Sequence, residues 1–274
     1  MDYDIQKCKE LRKKIYLTIM NGGMGHLASC YSCLEILYTL YVKGVLTYNI
    51  DNPFDRTRDR LVLSKGHAGV ALYWVMCEAG LIDQEEMETF LRPGSRIGGE
   101  PCMRDCERIE ASTGSLGHGL SLAVGMAMAQ KLDQLDAKTY VILGDGECEE
   151  GAIWEAAMSA AAFRLNNLVA ILDCNNIQKM TTIKETIGLD NWVEKWNAFG
   201  WLVKQVDGHN IHELEEVFRT INSTDQPILI IAHTIKGKGV SIMEHNPLWH
   251  FKLPNRKEKM VFQKELDVSD GEMI

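Results

Sequence analysis

Short apolar runs rich in β-branched residues alternate along this chain with segments of helical period, and that alternation predicts parallel strands joined by crossover helices. The runs fall at residues 60–64, 139–143, 168–173, 201–206 and 227–234. Nearly continuous apolar strands of this kind predict burial on both faces. The expected fold class is therefore α/β, a parallel sheet flanked by helices on both faces. Helical spacing predicts helices over residues 5–20, 32–43, 68–78, 83–90, 116–132, 151–164, 191–199 and 211–220. Start signals support two of them: Asp83 precedes Glu86 by three, and Asp190 opens the stretch that ends at Gly200.

The bulk numbers narrow the function. With 274 residues the chain can bury a sizeable core, and 46% hydrophobic with 24% charged residues suits a globular protein rather than a disordered one. A formal net charge of -9 disfavours non-specific binding to nucleic acid or anionic membranes. The sequence contains no apolar run of the roughly 18 residues that span a bilayer, and the N-terminus is charged, so a cytoplasmic protein is expected. Eight scattered cysteines fit reduced thiols. Cys30 and Cys33, or Cys102 and Cys106, have ligand-like spacing, but no second pair follows at the separation a structural zinc site requires. Without an internal repeat or a linker, the simplest parse is one domain over residues 1–255 and a charged tail over 256–274.

The chemistry concentrates at two strand ends. The run at 139–143 leads into Gly144-Asp145-Gly146-Glu147, and the next run ends in Cys174-Asn175-Asn176. Adjacent parallel strands open on one crevice at their carboxyl ends, where ligands of α/β proteins bind. Glycines around Asp145 permit a tight turn and close approach to an anion. Thirty residues separate Asp145 from Asn175, about one strand-helix-strand unit, so both side-chain oxygens can reach one ion. With the Ile177 carbonyl as a third donor, they suit Mg²⁺ (or Ca²⁺) shared with phosphate oxygens. A nicotinamide dinucleotide site finds no support, because Gly-x-Gly-x-x-Gly does not follow the first strand.

Four blocks occur in the order found in one family: Gly25-His26, Leu63-Ser64-Lys65-Gly66-His67-Ala68, Ser112-Thr113-Gly114-Ser115-Leu116-Gly117, and Gly144-Asp145-Gly146 through Asn175. In these the chain resembles the N-terminal, thiamine-diphosphate-binding region of transketolases over nearly its whole length. The resemblance implies the diphosphate-binding domain of the thiamine-diphosphate fold. Asp145, Asn175 and the Ile177 carbonyl would hold the metal. His67, Gly144, Gly146 and Glu147 would lie at the cofactor. Gly114 and Leu116 would meet its aminopyrimidine through the backbone, Ser115 between them would also lie at the cofactor, and His26 and His250 would face the substrate. Glu150 and Glu155 resemble acidic residues near the family's subunit contact, where Glu150 would support the partner's cofactor-activating glutamate.

Departures from the family pattern lie in loops that would face substrate. Glu100, in Gly98-Gly99-Glu100-Pro101, stands where the family usually has a donor-binding histidine; an ionised carboxylate can only accept hydrogen bonds. His118 stands where glutamine is usual and would supply an imidazole nearby. Lys179-Met180-Thr181 replaces an apolar residue followed by Asp-Gly, and Phe251 replaces the glycine after His250. A complete transketolase is more than twice this length. The resemblance therefore implies a split enzyme, with a second polypeptide carrying the pyrimidine-binding and C-terminal domains in an α2β2 heterotetramer. Its reaction would move a two-carbon ketol unit from a ketose or ketose phosphate donor to an aldehyde acceptor. A specialised carboligase with a non-standard donor or carrier-bound acceptor is the alternative. A third reading is a non-catalytic subunit that binds the cofactor.

Overall fold

The computed structural model describes residues 3–188, 191–221 and 224–272. The chain opens with helices α1 (Tyr3–Gly22), α2 (Leu27–Ser32) and α3 (Leu34–Tyr41), followed by strand β1 (Arg60–Leu63) and α4 (Gly69–Glu78). Next come α5 (Gly119–Leu132), β2 (Thr139–Gly144), α6 (Gly151–Ala162) and β3 (Leu168–Cys174). The remaining elements are α7 (Ile183–Thr186), α8 (Trp192–Ala198), β4 (Leu202–Asp207), α9 (Ile211–Arg219), β5 (Ile228–His233) and α10 (Arg256–Leu266). All strand pairs are parallel, in the order β1-β2-β3-β5-β4.

Successive strand residues point to opposite faces, and each face has its own core. Tyr140, Ile142, Val169, Ile171, Ile228 and Ile230 pack with the apolar sides of α1, α3, α4 and α9. Val141, Leu143, Ala170, Leu172, Leu229 and Ile231 pack with α5, α6 and α8. Two helical layers around a parallel sheet follow, as expected from the apolar runs. Burial on both faces fails at β4, an edge strand paired with β5 alone, whose residues 202–205 are part-exposed or exposed; the other edge, β1, is buried at residues 61–63.

Other differences have local causes. The helix expected over 32–43 is the second of two, α2 and α3, which meet at Cys33 (φ -101°, ψ 9°). Residues 84–89 form a tighter 3-10 helix, and the Asp83 side chain makes no capping hydrogen bond. Asp190 lies outside the described residues. The segment beyond residue 255 is not a loose tail through 256–266: Asn255 and Glu258 form a capping box that starts α10. Phe262 and Leu266 are buried, and Phe262 stacks on Tyr16 of α1 with ring centroids 4.8 Å apart. Two buried residues spaced i, i+4 among charged neighbours made too narrow an apolar stripe for periodicity to reveal.

Candidate functional site

Because β5 inserts beside β3, the carboxyl ends of β2, β3 and β5 stand side by side and open on a crevice of about 250 Å³. From the β2 end comes Asp145, almost fully buried, whose Oδ1 accepts the Gly146 N–H at 2.8 Å while Oδ2 accepts the Asn176 N–H. Asn175 and the Ile177 carbonyl come from the β3 end and line the same space. Burial, then the nearby Asp173 charge, pushes the Asp145 carboxyl up to about 7. A cation here would offset both effects.

The β5 end supplies a residue the motifs did not reveal. Lys236 is buried, and its Nζ donates to the Ile177 carbonyl at 2.9 Å and lies 3.1 Å from His250 Nδ1. Since an ammonium can only donate, Nδ1 accepts and His250 presents its Nε2–H elsewhere. Burial, then repulsion from Lys65, lowers the Lys236 pKa to about 8. Lys65 lies on the crevice floor, where its Nζ pairs with Asp173 and is 3.2 Å from the Ser29 carbonyl. The Ser29 hydroxyl also borders the crevice, buried and without a hydrogen-bond partner. Only the third strand end could have flagged Lys236, and that required knowing that β5, not β4, neighbours β3.

Three expected histidines converge. Ring centroids are 5.0 Å apart for His26 and His67, 5.3 Å for His26 and His250, and 5.4 Å for His67 and His250. Phe251 closes over His26 at 4.7 Å. Burial, then Lys236, lowers His26 to about 4 and His250 to about 3, while burial, then Lys65, lowers His67 strongly. All three are thus neutral at pH 7. The unfolded chain takes up protons on these rings below about pH 6.5 while the folded chain resists, so their stabilisation is present above that pH and is lost as acid approaches pH 4. The raised carboxyls of Asp145, Asp59, Glu147 and Glu149 oppose this, while the lowered carboxyls of Glu35 and Asp173 act with the histidines. Thermal melts from pH 7 to 4.5 are expected to show a falling Tm, with a smaller fall in a His26→Phe/His250→Phe variant.

Glu100, Gly114, Leu116, Gly144, Gly146 and Glu147 border the crevice. Glu147 does so with its carboxylate committed: it accepts the Gly117 N–H at 2.9 Å, the Gly144 N–H at 3.1 Å and the Ser64 hydroxyl, tying the loop before α5 to the β2 end. Gly114 has φ +144°, and a Cβ there would fall 1.9 Å from Glu100 Oε2, so the carboxylate rests directly on this glycine. Gln178 and Lys179 also line the crevice, Lys179 exposed. Ser115 and His118 do not line it; both are exposed, and His118 immediately precedes α5, so it does not restore an imidazole opposite Glu100. Glu150 and Glu155 are exposed at the start of α6, also outside the crevice.

A parallel α/β sheet whose neighbouring strand ends open on one crevice, with lysine ammoniums at its floor, defines the class of α/β domains that bind an anionic ligand at the carboxyl ends of their strands. Residues 7–251 match the model of the transketolase thiamine diphosphate binding domain, and the chain belongs to that family. It is 42% identical over 248 residues to an apulose-4-phosphate transketolase subunit of Phocaeicola vulgatus, covering 90% of this chain and 88% of that one. A 6-deoxy-6-sulfo-D-fructose transketolase subunit of a Clostridium species is 41% identical over 243 residues, with 88% of each chain covered. Human transketolase is 38% identical over 245 residues, covering 89% of this chain but 39% of the human one. The solved transketolase of Campylobacter jejuni superposes with a TM-score of 0.87 at 29% identity, over 97% of this chain and 43% of that one. The chain thus spans less than half of these full-length transketolases and most of the subunit relatives.

Proposed function

We propose that this chain is the diphosphate- and metal-binding subunit of a two-chain, thiamine-diphosphate-dependent transketolase. The observation that carries the reading is the convergence of Asp145, Asn175 and the Ile177 carbonyl at adjacent strand ends. The crevice suits the cofactor on its own terms: Ser29 Oγ is a buried polar atom without a partner, and Gly144 and Gly146 border the crevice with no side chain to fill it. Asp145, Asn175 and Ile177 would hold Mg²⁺; Lys236, His67 and Gly146 would hold the diphosphate; Gly114 and Leu116 would meet the aminopyrimidine. When bound, thiamine diphosphate supplies the nucleophilic carbon and electron sink that let a bond beside a ketone carbonyl break and re-form.

The residues of this chain position and move protons around that chemistry. Neutral His26, His67 and His250 can each donate one hydrogen bond and accept another, which suits them to polarise a carbonyl and exchange protons with sugar hydroxyls. Phe251 against His26 and the buried floor limit water. The partner subunit would dock across α5 and α6, where Leu122, Met158 and Phe163 are exposed apolar side chains beside Glu150 and Glu155. An α2β2 assembly follows if each active site forms between subunits. No helix among the described residues is long and apolar enough to cross a membrane, and the free thiols suit the cytoplasm.

A second reading, a specialised carboligase with an unusual donor, is favoured by one observation: the Glu100 carboxylate and the Lys179 ammonium both border the crevice. Relatives named for apulose-4-phosphate and for 6-deoxy-6-sulfo-D-fructose support an anionic, non-standard ketose as donor. The test is ketol transfer from a panel of phosphorylated and sulfonated ketoses, with this chain, its partner subunit, thiamine diphosphate and Mg²⁺ supplied together and singly omitted. Turnover in the complete mixture alone is expected. Turnover that persists without thiamine diphosphate would end the proposal, and preference for ordinary ketose phosphates would end the second reading.

A further inference from the structure

Behind the Lys236 segment lies a cluster of buried charged and polar groups that the proposed chemistry does not use. Arg12 of α1 and Glu35 of α3 are both almost fully buried and pair at 2.7 Å. The second Glu35 oxygen lies 2.9 Å from His209 Nδ1, in the turn between β4 and α9. The other ring nitrogen, Nε2, accepts the Ile235 N–H at 2.8 Å. A backbone N–H can only donate, so Nε2 is the acceptor and Nδ1 carries the hydrogen that goes to Glu35. Both ring nitrogens and both carboxylate oxygens are therefore committed.

Arg12 reaches the same segment from the other side, its Nε donating to the Lys238 carbonyl at 2.8 Å. Gly239 leaves room for it: φ is +90°, and a Cβ there would fall 3.1 Å from Arg12 Cδ. The segment holding Lys236 is thus gripped at residue 235 by His209 and at residue 238 by Arg12, with Glu35 joining the two. We infer that Arg12, Glu35 and His209 form a buried clamp that positions residues 235–239, and through them the Lys236 ammonium, at the Ile177 carbonyl and His250. His209 and its two partners are positioning residues: none of them lines the crevice.

The clamp has a reason to be ionic. Lys236 is buried within reach of the Lys65 ammonium, which repels it, and residues 235–239 follow the last strand outside the sheet ladder, held by turn bonds and single bonds to neighbouring segments. Among those bonds are Gly237 N to the Ala28 carbonyl at 3.0 Å and His245 N to the Lys236 carbonyl at 3.3 Å. Charge-assisted hydrogen bonds to fixed helices supply stiffness that such a loop lacks. Residues that orient groups in direct contact with a metal or cofactor typically cost about 10–100-fold in affinity or activity when removed. The functional consequence rests on the thiamine diphosphate reading; the clamp itself does not.

The test compares wild type with His209→Ala and His209→Gln, each measured for amide hydrogen exchange and for thiamine diphosphate affinity in Mg²⁺ with the partner subunit present. A glutamine amide offers one acceptor and one donor at similar spacing and is expected to behave as wild type. In His209→Ala, exchange over residues 235–239 is expected to accelerate at least about tenfold while the amides of β2 and β3 stay protected, and cofactor affinity to fall about tenfold or more. Unchanged exchange at 235–239, acceleration spread equally over the whole sheet, or a glutamine variant no better than alanine would each overturn the clamp. Failure of wild type to bind thiamine diphosphate would instead overturn the proposed function, and the exchange comparison would still decide the clamp.

Discussion

Asp145→Ala is expected to weaken Mg²⁺-dependent thiamine diphosphate binding by more than about a hundredfold, since a directly ligating carboxylate should cost more than the outer groups that orient it. Ketol transfer should vanish with it. The folded chain should lose little. Burial and Asp173 already hold this carboxyl up to about 7, so its ionised form is a burden on the folded state that the substitution removes. The cost is two backbone donors, at Gly146 and Asn176, left without their acceptor. Calorimetric titration and a melt of the apo chain separate these effects. In wild type, Mg²⁺ affinity is expected to fall as pH drops below about 7, because a proton would then compete with the cation for the same carboxyl. A large loss of Tm in Asp145→Ala, or wild-type affinity retained, would remove Asp145 from the cation site.

Asp173→Ala is expected to be the most damaging single change to stability, at about 3–5 kcal/mol, because it leaves the Lys65 ammonium buried without its counter-ion. Lys65 has 2% relative exposure and Asp173 none. Burial works against the Asp173 anion, yet Lys65, Ser32 and Thr234 all donate to it and hold its pKa below the ordinary value. For a chain of this size the loss corresponds to a Tm drop of roughly 6–20 °C. A Lys65→Met/Asp173→Leu double variant, removing both charges, should recover much of that stability. Denaturant unfolding of wild type and the two variants checks this, and an Asp173→Ala variant within about 1 kcal/mol of wild type would mean that the ammonium finds water or another partner.

The pair at Lys65 and Asp173 illustrates what was not legible in the chain. Its members lie in two separate blocks, on the turn after β1 and within β3, and nothing in either block announces that they meet. The same holds for Lys236, and for Arg12, Glu35 and His209, which come from α1, α3 and the β4–α9 turn. Pairing across long separations depends on strand order, and strand order here skips from β3 to β5. By contrast, Asp145 and Asn175 sit on consecutive strands joined by one helix, so their thirty-residue spacing alone placed them together.

The sequence by itself determined the alternation of strands and helices, the two-sided core of the inner strands and the oxygen donors at the ends of β2 and β3, because these depend on local period and on neighbours one crossover apart. Tertiary structure alone decided that β4 is an edge, that residues 256–266 cover α1, that Glu147 ties two loops together, and that His118 stays outside the crevice. Each of those depends on which distant surface an element meets, and a side chain's pattern along the chain carries no record of that.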